Sequence, residues 1–88
     1  MTEEERFLTR AVLSHREWRA VQELSKAYGD FEPLAARNRI GPITAAGLVR
    51  KGLAETGRTA PRFDRSTFPV GYRLTTLGWK VMKRGRTP

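Results

Sequence analysis

Four arginines, Arg58, Arg62, Arg65 and Arg73, fall within sixteen residues, with Phe63 and Phe68 among them. Guanidinium groups interleaved with aromatic rings suit contact along phosphates or insertion into a narrow minor groove. The alternative is a solvated loop whose rings fold back on the core. Little else in the chain could do chemistry. His15 is the only histidine and stands beside Arg16 and Glu17 at a helix start, where a surface or capping role is the simpler reading. There is no cysteine, and the carboxylates are too scattered to supply the convergent ligands a metal needs. No Gly-rich phosphate loop, nucleophile–base pair or acid pair occurs. The expectation is a non-enzymatic protein with no catalytic residue, no metal and no cofactor.

Charge is the strongest compositional signal. The net formal charge is +8 over 88 residues, and it is unevenly placed. Residues 1–32 hold seven acids and five bases, net −2, whereas residues 33–88 hold twelve bases against only Glu55 and Asp64, net +10. Such a concentration attracts polyanions and speeds their encounter. A membrane surface fits less well, because the bases do not follow one amphipathic helix. No apolar run approaches the roughly 20 residues needed to cross a bilayer, and Thr2-Glu3-Glu4-Glu5 is unlike a secretory signal. With no cysteine to oxidise, a soluble cytoplasmic protein is expected. A chain of this length makes one compact domain, residues 1–88.

The elements that would position these residues are helical first. Thr2 and Glu5 have capping-box spacing, and Phe7, Leu8, Ala11 and Val12 form an apolar stripe, which predicts a helix over about residues 3–13. Ser14 and Glu17 repeat the box before Trp18, Val21, Leu24 and Tyr28, with Gly29 placed to close a second helix. One kinked helix over residues 3–28 is the alternative. Asp30 reads as the next N-cap and Pro33 as tolerated in the first turn, giving a short helix from Phe31 to about Asn38 with Leu34 and Ala35 inward. Arg39-Ile40-Gly41-Pro42 is then a turn into a helix ending near Lys51, with Gly52 as its stop. Two short helices joined by a tight Gly-containing turn constitute a helix-turn-helix signature.

Leu53–Arg58 and Val70–Leu74 have strand character and bracket a Pro-bounded, polar hairpin tip, residues 59–69. Thr75 or Thr76 caps a last helix with Leu77, Trp79, Val81 and Met82 on its faces, and a frayed basic tail closes the chain. The fold class is therefore mainly α with a small β-hairpin (α+β). Its segments are an N-terminal helix (1–13), a helical core (14–53), the hairpin (54–74), a C-terminal helix (75–84) and the tail (85–88).

The stretch Ser14-His15-Arg16-Glu17-Trp18-Arg19-Ala20-Val21-Gln22-Glu23-Leu24 resembles the opening helix of MarR-type winged-helix regulators. Leu34-Ala35-Ala36-Arg37 sits where that family has its second helix. Leu48-Val49-Arg50-Lys51-Gly52-Leu53-Ala54-Glu55 is similar to the segment joining recognition helix to wing, and Tyr72-Arg73-Leu74-Thr75-Thr76-Leu77-Gly78 to the exit from the wing. The matches run in order across roughly residues 14–82. The adjacent Asp-Arg-Arg of the family's wing is only partly echoed by Asp64-Arg65, and its long dimerisation helices are absent, so its effector-binding role does not carry over.

The resemblance implies a winged helix-turn-helix whose helix near Pro42–Lys51 enters the major groove while the hairpin touches an adjacent groove or the backbone. Arg39, Thr44, Arg50 and Lys51 are then the DNA-binding candidates on the first element, and Arg58, Arg62, Arg65 and Arg73 on the second. For Arg50 and Lys51 the competing role is compensation of the helix dipole, about 0.3–1 kcal/mol each. Ala45, Ala46 and Gly47 allow either close approach to a base or tight helix packing. The implied function is double-stranded DNA binding, by a small transcriptional regulator or a phage or mobile-element accessory factor. The competing function is a winged-helix protein-interaction module, with residues 3–13 as a homodimer or partner surface.

Overall fold

A computed structural model of the chain describes residues 2–26, 29–34, 40–63, 66–67 and 69–88. Within these, four helices and one two-stranded antiparallel hairpin form an α+β arrangement: α1 (Glu3–Arg10), α2 (His15–Ser25), α3 (Pro42–Arg50), β1 (Ala54–Arg58), β2 (Val70–Leu74) and α4 (Thr76–Arg84). The first two helices are separate. Ala11 closes α1 in an extended conformation, and Ser14 opens α2 with a reciprocal capping box: its hydroxyl accepts the Glu17 amide while the Glu17 carboxylate accepts the Ser14 amide. The predicted helix over 3–13 is thus shorter, because Leu13 leaves the helical path to become a core residue, 1% exposed.

Helix α2 is the organiser. It packs against α3, β2 and α4, and it buries Ala20, Val21 and Leu24. Leu48, Leu53, Leu74 and Val81 complete the centre of the core, with Trp18, Leu34, Trp79 and Met82 packed at its edge. The hairpin pairs Ala54 with Leu74 through to Arg58 with Val70. Its burial is uneven, with Ala54 and Leu74 inside and Val70 exposed.

Two expectations about the middle of the chain are also corrected. Phe31 does not begin a helix. Glu32 and Tyr72 exchange both backbone hydrogen bonds, at 3.1 and 2.8 Å, so this segment is extended and lies beside β2 as a one-bridge third strand. Asp30 accepts from Arg62 and caps no helix among the described residues. The remainder of the expected helix, including Ala35, lies outside the described residues. The second correction is the tip: Thr59 is fully buried, its amide bonded to Pro69 and the neighbouring Ala60 amide to Phe31, so the base of the tip belongs to the packed structure.

The hairpin makes room for Phe31 through two paired glycines. Gly57 faces Gly71 across the ladder; a Cβ on the first would fall 2.5 Å from the Phe31 ring and on the second 2.8 Å from the Phe31 backbone. Glycine inside a strand commonly marks this kind of close approach. The C-terminal tail is likewise not frayed up to Arg86: the Leu13 amide donates to the Arg86 carbonyl at 3.0 Å, and the Arg86 guanidinium donates back to the Leu13 carbonyl at 3.2 Å.

Candidate nucleic-acid interface

Helix α3 is presented by its two ends. At its start Gly41 offers no side-chain cap and Pro42 occupies the first turn, so amides there lack an intrahelical acceptor. At its finish Leu53 donates to Leu48 and Gly52 to Val49, at 2.9 and 3.0 Å. These two bonds, with φ +76° at Gly52, make a Schellman turn whose apolar contact is Leu48 with Leu53, both fully buried. The segment Leu48-Val49-Arg50-Lys51-Gly52-Leu53 therefore fixes how α3 leaves the core.

The turn leaves one face of α3 outward. Ala45, Gly47 and Leu48 are buried, while Ile43 is 86% exposed and Ala46, Val49 and Arg50 also face out. Ile43, Ala46 and Arg50 are spaced i, i+3, i+7, which sets them along one stripe. Sequence reasoning named Arg50 but missed Ile43, although its spacing opposite Ala45 and Leu48 carried the signal. Of the two roles open to Ala45, Ala46 and Gly47, the structure gives packing to Ala45 and Gly47 and leaves Ala46 at the surface, while Thr44 sits half-buried at the flank. No acidic residue occurs from Pro33 to Ala54, so this face carries only positive or neutral groups.

The other candidates divide into free and engaged cations. Arg58 is exposed at the end of β1, and neither it nor Arg50 has a carboxylate partner among the described residues. Arg62 is engaged twice, at 2.9 Å with Asp30 and 2.8 Å with the buried Glu32, and lies 5.0 Å over the Phe63 ring. Arg73 is held by Glu55 at 2.6 Å and stacks 4.2 Å over the Phe31 ring. Lys51 pairs with Glu17. Arg39, Arg65 and Phe68 lie outside the described residues. The structure thus does not unite the hairpin arginines into one free patch.

Glu17 shows how this pairing works. Partial burial pushes its carboxyl pKa up, but the hydrogen bond from Lys51, the Ser14 amide and the Lys51 charge outweigh that and hold it below the ordinary carboxylate value. A pKa depressed in the folded state gives stability that is present above the unfolded value and is lost as pH falls through the folded one. Glu17→Gln, which can keep the capping box, is expected to cost about 0.5 kcal/mol at neutral pH. Urea melts across the acid range should show that difference shrinking to nothing; a gap that persists at low pH would assign the cost to the cap.

Among the described residues no group of three or more His, Cys, Asp or Glu is placed to hold a metal ion, and no helix is long and apolar enough to cross a membrane. The class defined by these elements is an α+β fold in which α3, α4 and the hairpin pack against α2 while α1 packs against α4. No protein-family model, curated protein or solved structure matches the chain.

Proposed function

We propose that the chain is a winged helix-turn-helix domain that binds double-stranded DNA without catalysing a reaction, as a small transcriptional regulator or a mobile-element accessory factor. The observation that carries this reading is the outward stripe of α3, Ile43, Ala46 and Arg50, projecting from a segment with no acid. Small and apolar side chains suit thymine methyl groups in the major groove, and Arg50 suits a phosphate or a guanine edge. The uncapped amides of Ile43 and Thr44 favour phosphate approach at the other end of the helix. The order of elements after α2 and the MarR-like segments support the same reading, with Arg58 as the hairpin's contact.

The test is binding of a random-sequence duplex pool and a genomic fragment pool across a salt series. Tight, salt-steep binding with enrichment of a few fragments is expected. Arg50→Ala should weaken it about tenfold and flatten the salt slope by about one, while Ile43→Ser should change which fragments are enriched. Equal affinity and enrichment for both variants would discard this docking surface.

One observation favours a second reading. Ile43, Ala46 and Val49 form an exposed apolar strip, which also suits a protein partner. The outward side of α1 does not, since Arg6, Thr9 and Arg10 occupy it. A folded protein that ignores duplex at low salt, yet self-associates in a manner abolished by Ile43→Asp, would establish the protein-docking use of α3.

A further inference from the structure

Ion pairing redistributes the chain's charge in a way the linear sequence hides. Lys51, Arg62 and Lys80 from the basic half are matched to Glu17, to Asp30 with Glu32, and to Glu4 from the acidic half. Meanwhile Arg10 and Arg16, which belong to the acidic half, are exposed and have no carboxylate or hydrogen-bond partner among the described residues. They flank the turn between α1 and α2, and the fold brings two more cations to that turn.

Arg84 donates to the Leu8 carbonyl at 2.9 Å and Arg86 to the Leu13 carbonyl at 3.2 Å. Carbonyl partners orient a guanidinium without cancelling its charge. From Arg6 to Gln22 the only acid is Glu17, and its charge is taken by Lys51. That same pair ties the end of α3 to the first turn of α2, one residue from Arg16 and one from Arg50. The positive end of the α2 dipole faces this turn as well.

We propose that the α1–α2 junction, carrying Arg10, Arg16, Arg84 and Arg86, is a second seat for the phosphodiester backbone of duplex DNA, continuous with Arg50 at the end of α3. The seat rests on the DNA-binding reading above. It gives that reading a footprint beyond α3 and the hairpin, built from residues that contribute affinity and orientation but no base specificity.

The experiment compares salt slopes of duplex binding for the full chain and three variants. Arg10→Ala with Arg16→Ala should leave the melting temperature unchanged, since neither side chain is bonded internally among the described residues, and should reduce the slope by about two, because each lost phosphate contact removes about 0.9. Fragment enrichment should stay as in the native chain. Arg10→Lys with Arg16→Lys should keep the native slope. Lys26→Ala, at the other end of α2, should also keep it. An alanine pair with the native slope, while Arg50→Ala still lowers it, overturns the seat and leaves the α3 reading standing. Loss of slope in the lysine pair, or an equal loss per charge at Lys26, overturns it too. Absence of salt-dependent binding by the native chain removes the α3 reading and the seat with it.

Discussion

Replacing Gly78 with alanine is expected to lower stability by about 3 kcal/mol, the upper part of the range for over-packing a filled site. In a domain of this size that corresponds to a fall in melting temperature of about 12–24 °C. Helix propensity alone argues the opposite, since alanine in a helix is favoured over glycine by about 1 kcal/mol. The sign therefore decides between two explanations. Gly78 lies in the first turn of α4, where its amide donates to the Thr75 hydroxyl oxygen at 3.1 Å. A Cβ would collide with the Leu53 carbonyl oxygen and fall 3.1 Å from both Cβ and Cδ2 of Leu74. The carbonyl cannot step aside, because it accepts the Thr75 amide at 3.0 Å, and the Thr75 hydroxyl is bonded to Gly52 at 2.5 Å. Urea and thermal melts of Gly78→Ala check this; a melting temperature equal to or above the native one would show that α4 can shift outward at little cost.

The same position shows what the sequence could and could not convey. Thr75, Leu77 and Gly78 were readable as a pattern leaving the hairpin, and the cap on Thr75 is observed. The reason for the glycine is a collision with a residue twenty-five positions earlier, which no local rule supplies. Short-range signals held up well for the Ser14–Glu17 box and the Gly52 stop, which depend on neighbours within a few residues; the strand at Val70–Leu74 is present too, but its expected alternation is not, since Val70 is exposed and Gly71 buried. Phe31 failed for the complementary reason. Asp30 and Pro33 are good local helix-start residues, but Glu32 gains two backbone bonds from Tyr72, and that strand pairing wins over the cap. Gly57 and Gly71 held the missing clue, since two glycines in partnered strands leave a space that something must fill.

The candidate interface was legible to a similar depth. The resemblance alone proposed α3 and Arg50 as contacts, and the structure adds that Arg50 is exposed. The resemblance was not enough to tell free from engaged cations. Lys51 and Glu17 are thirty-four residues apart, and Lys80 and Glu4 seventy-six; only the packing of α2 against α3 and of α1 against α4 brings them together. Each exposed pair is worth little stability, yet together they decide which arginines remain uncompensated.

Arg84 supports the second large prediction. Helix α1 has eight residues and buries none of them, so it is too short to persist on its own propensity. Phe7 and Leu8 pack at the edge of the core, Lys80 holds Glu4, and Arg84 supplies the remaining tie. Its guanidinium reaches the Phe7 and Leu8 carbonyls at 3.3 and 2.9 Å and the Arg86 carbonyl at 3.1 Å, satisfying a terminal carbonyl of α1 that has no amide partner of its own. Burial lowers the Arg84 pKa, but a guanidinium stays protonated, so these are charge-assisted bonds. Arg84→Ala is expected to cost about 2 kcal/mol and to do so unevenly. Amides of residues 6–10 should lose hydrogen-exchange protection by an order of magnitude or more, while those of α2 and α3 keep theirs. Arg84→Lys should recover only part of the loss, because one ammonium cannot span the same carbonyls. Truncation is a poorer probe of α1, since removing residues through 13 also takes Leu13 out of the core. Unchanged protection over residues 6–10 in Arg84→Ala would mean that Phe7, Leu8 and the Lys80–Glu4 pair suffice to hold α1. The tail would then bind the junction without stabilising it.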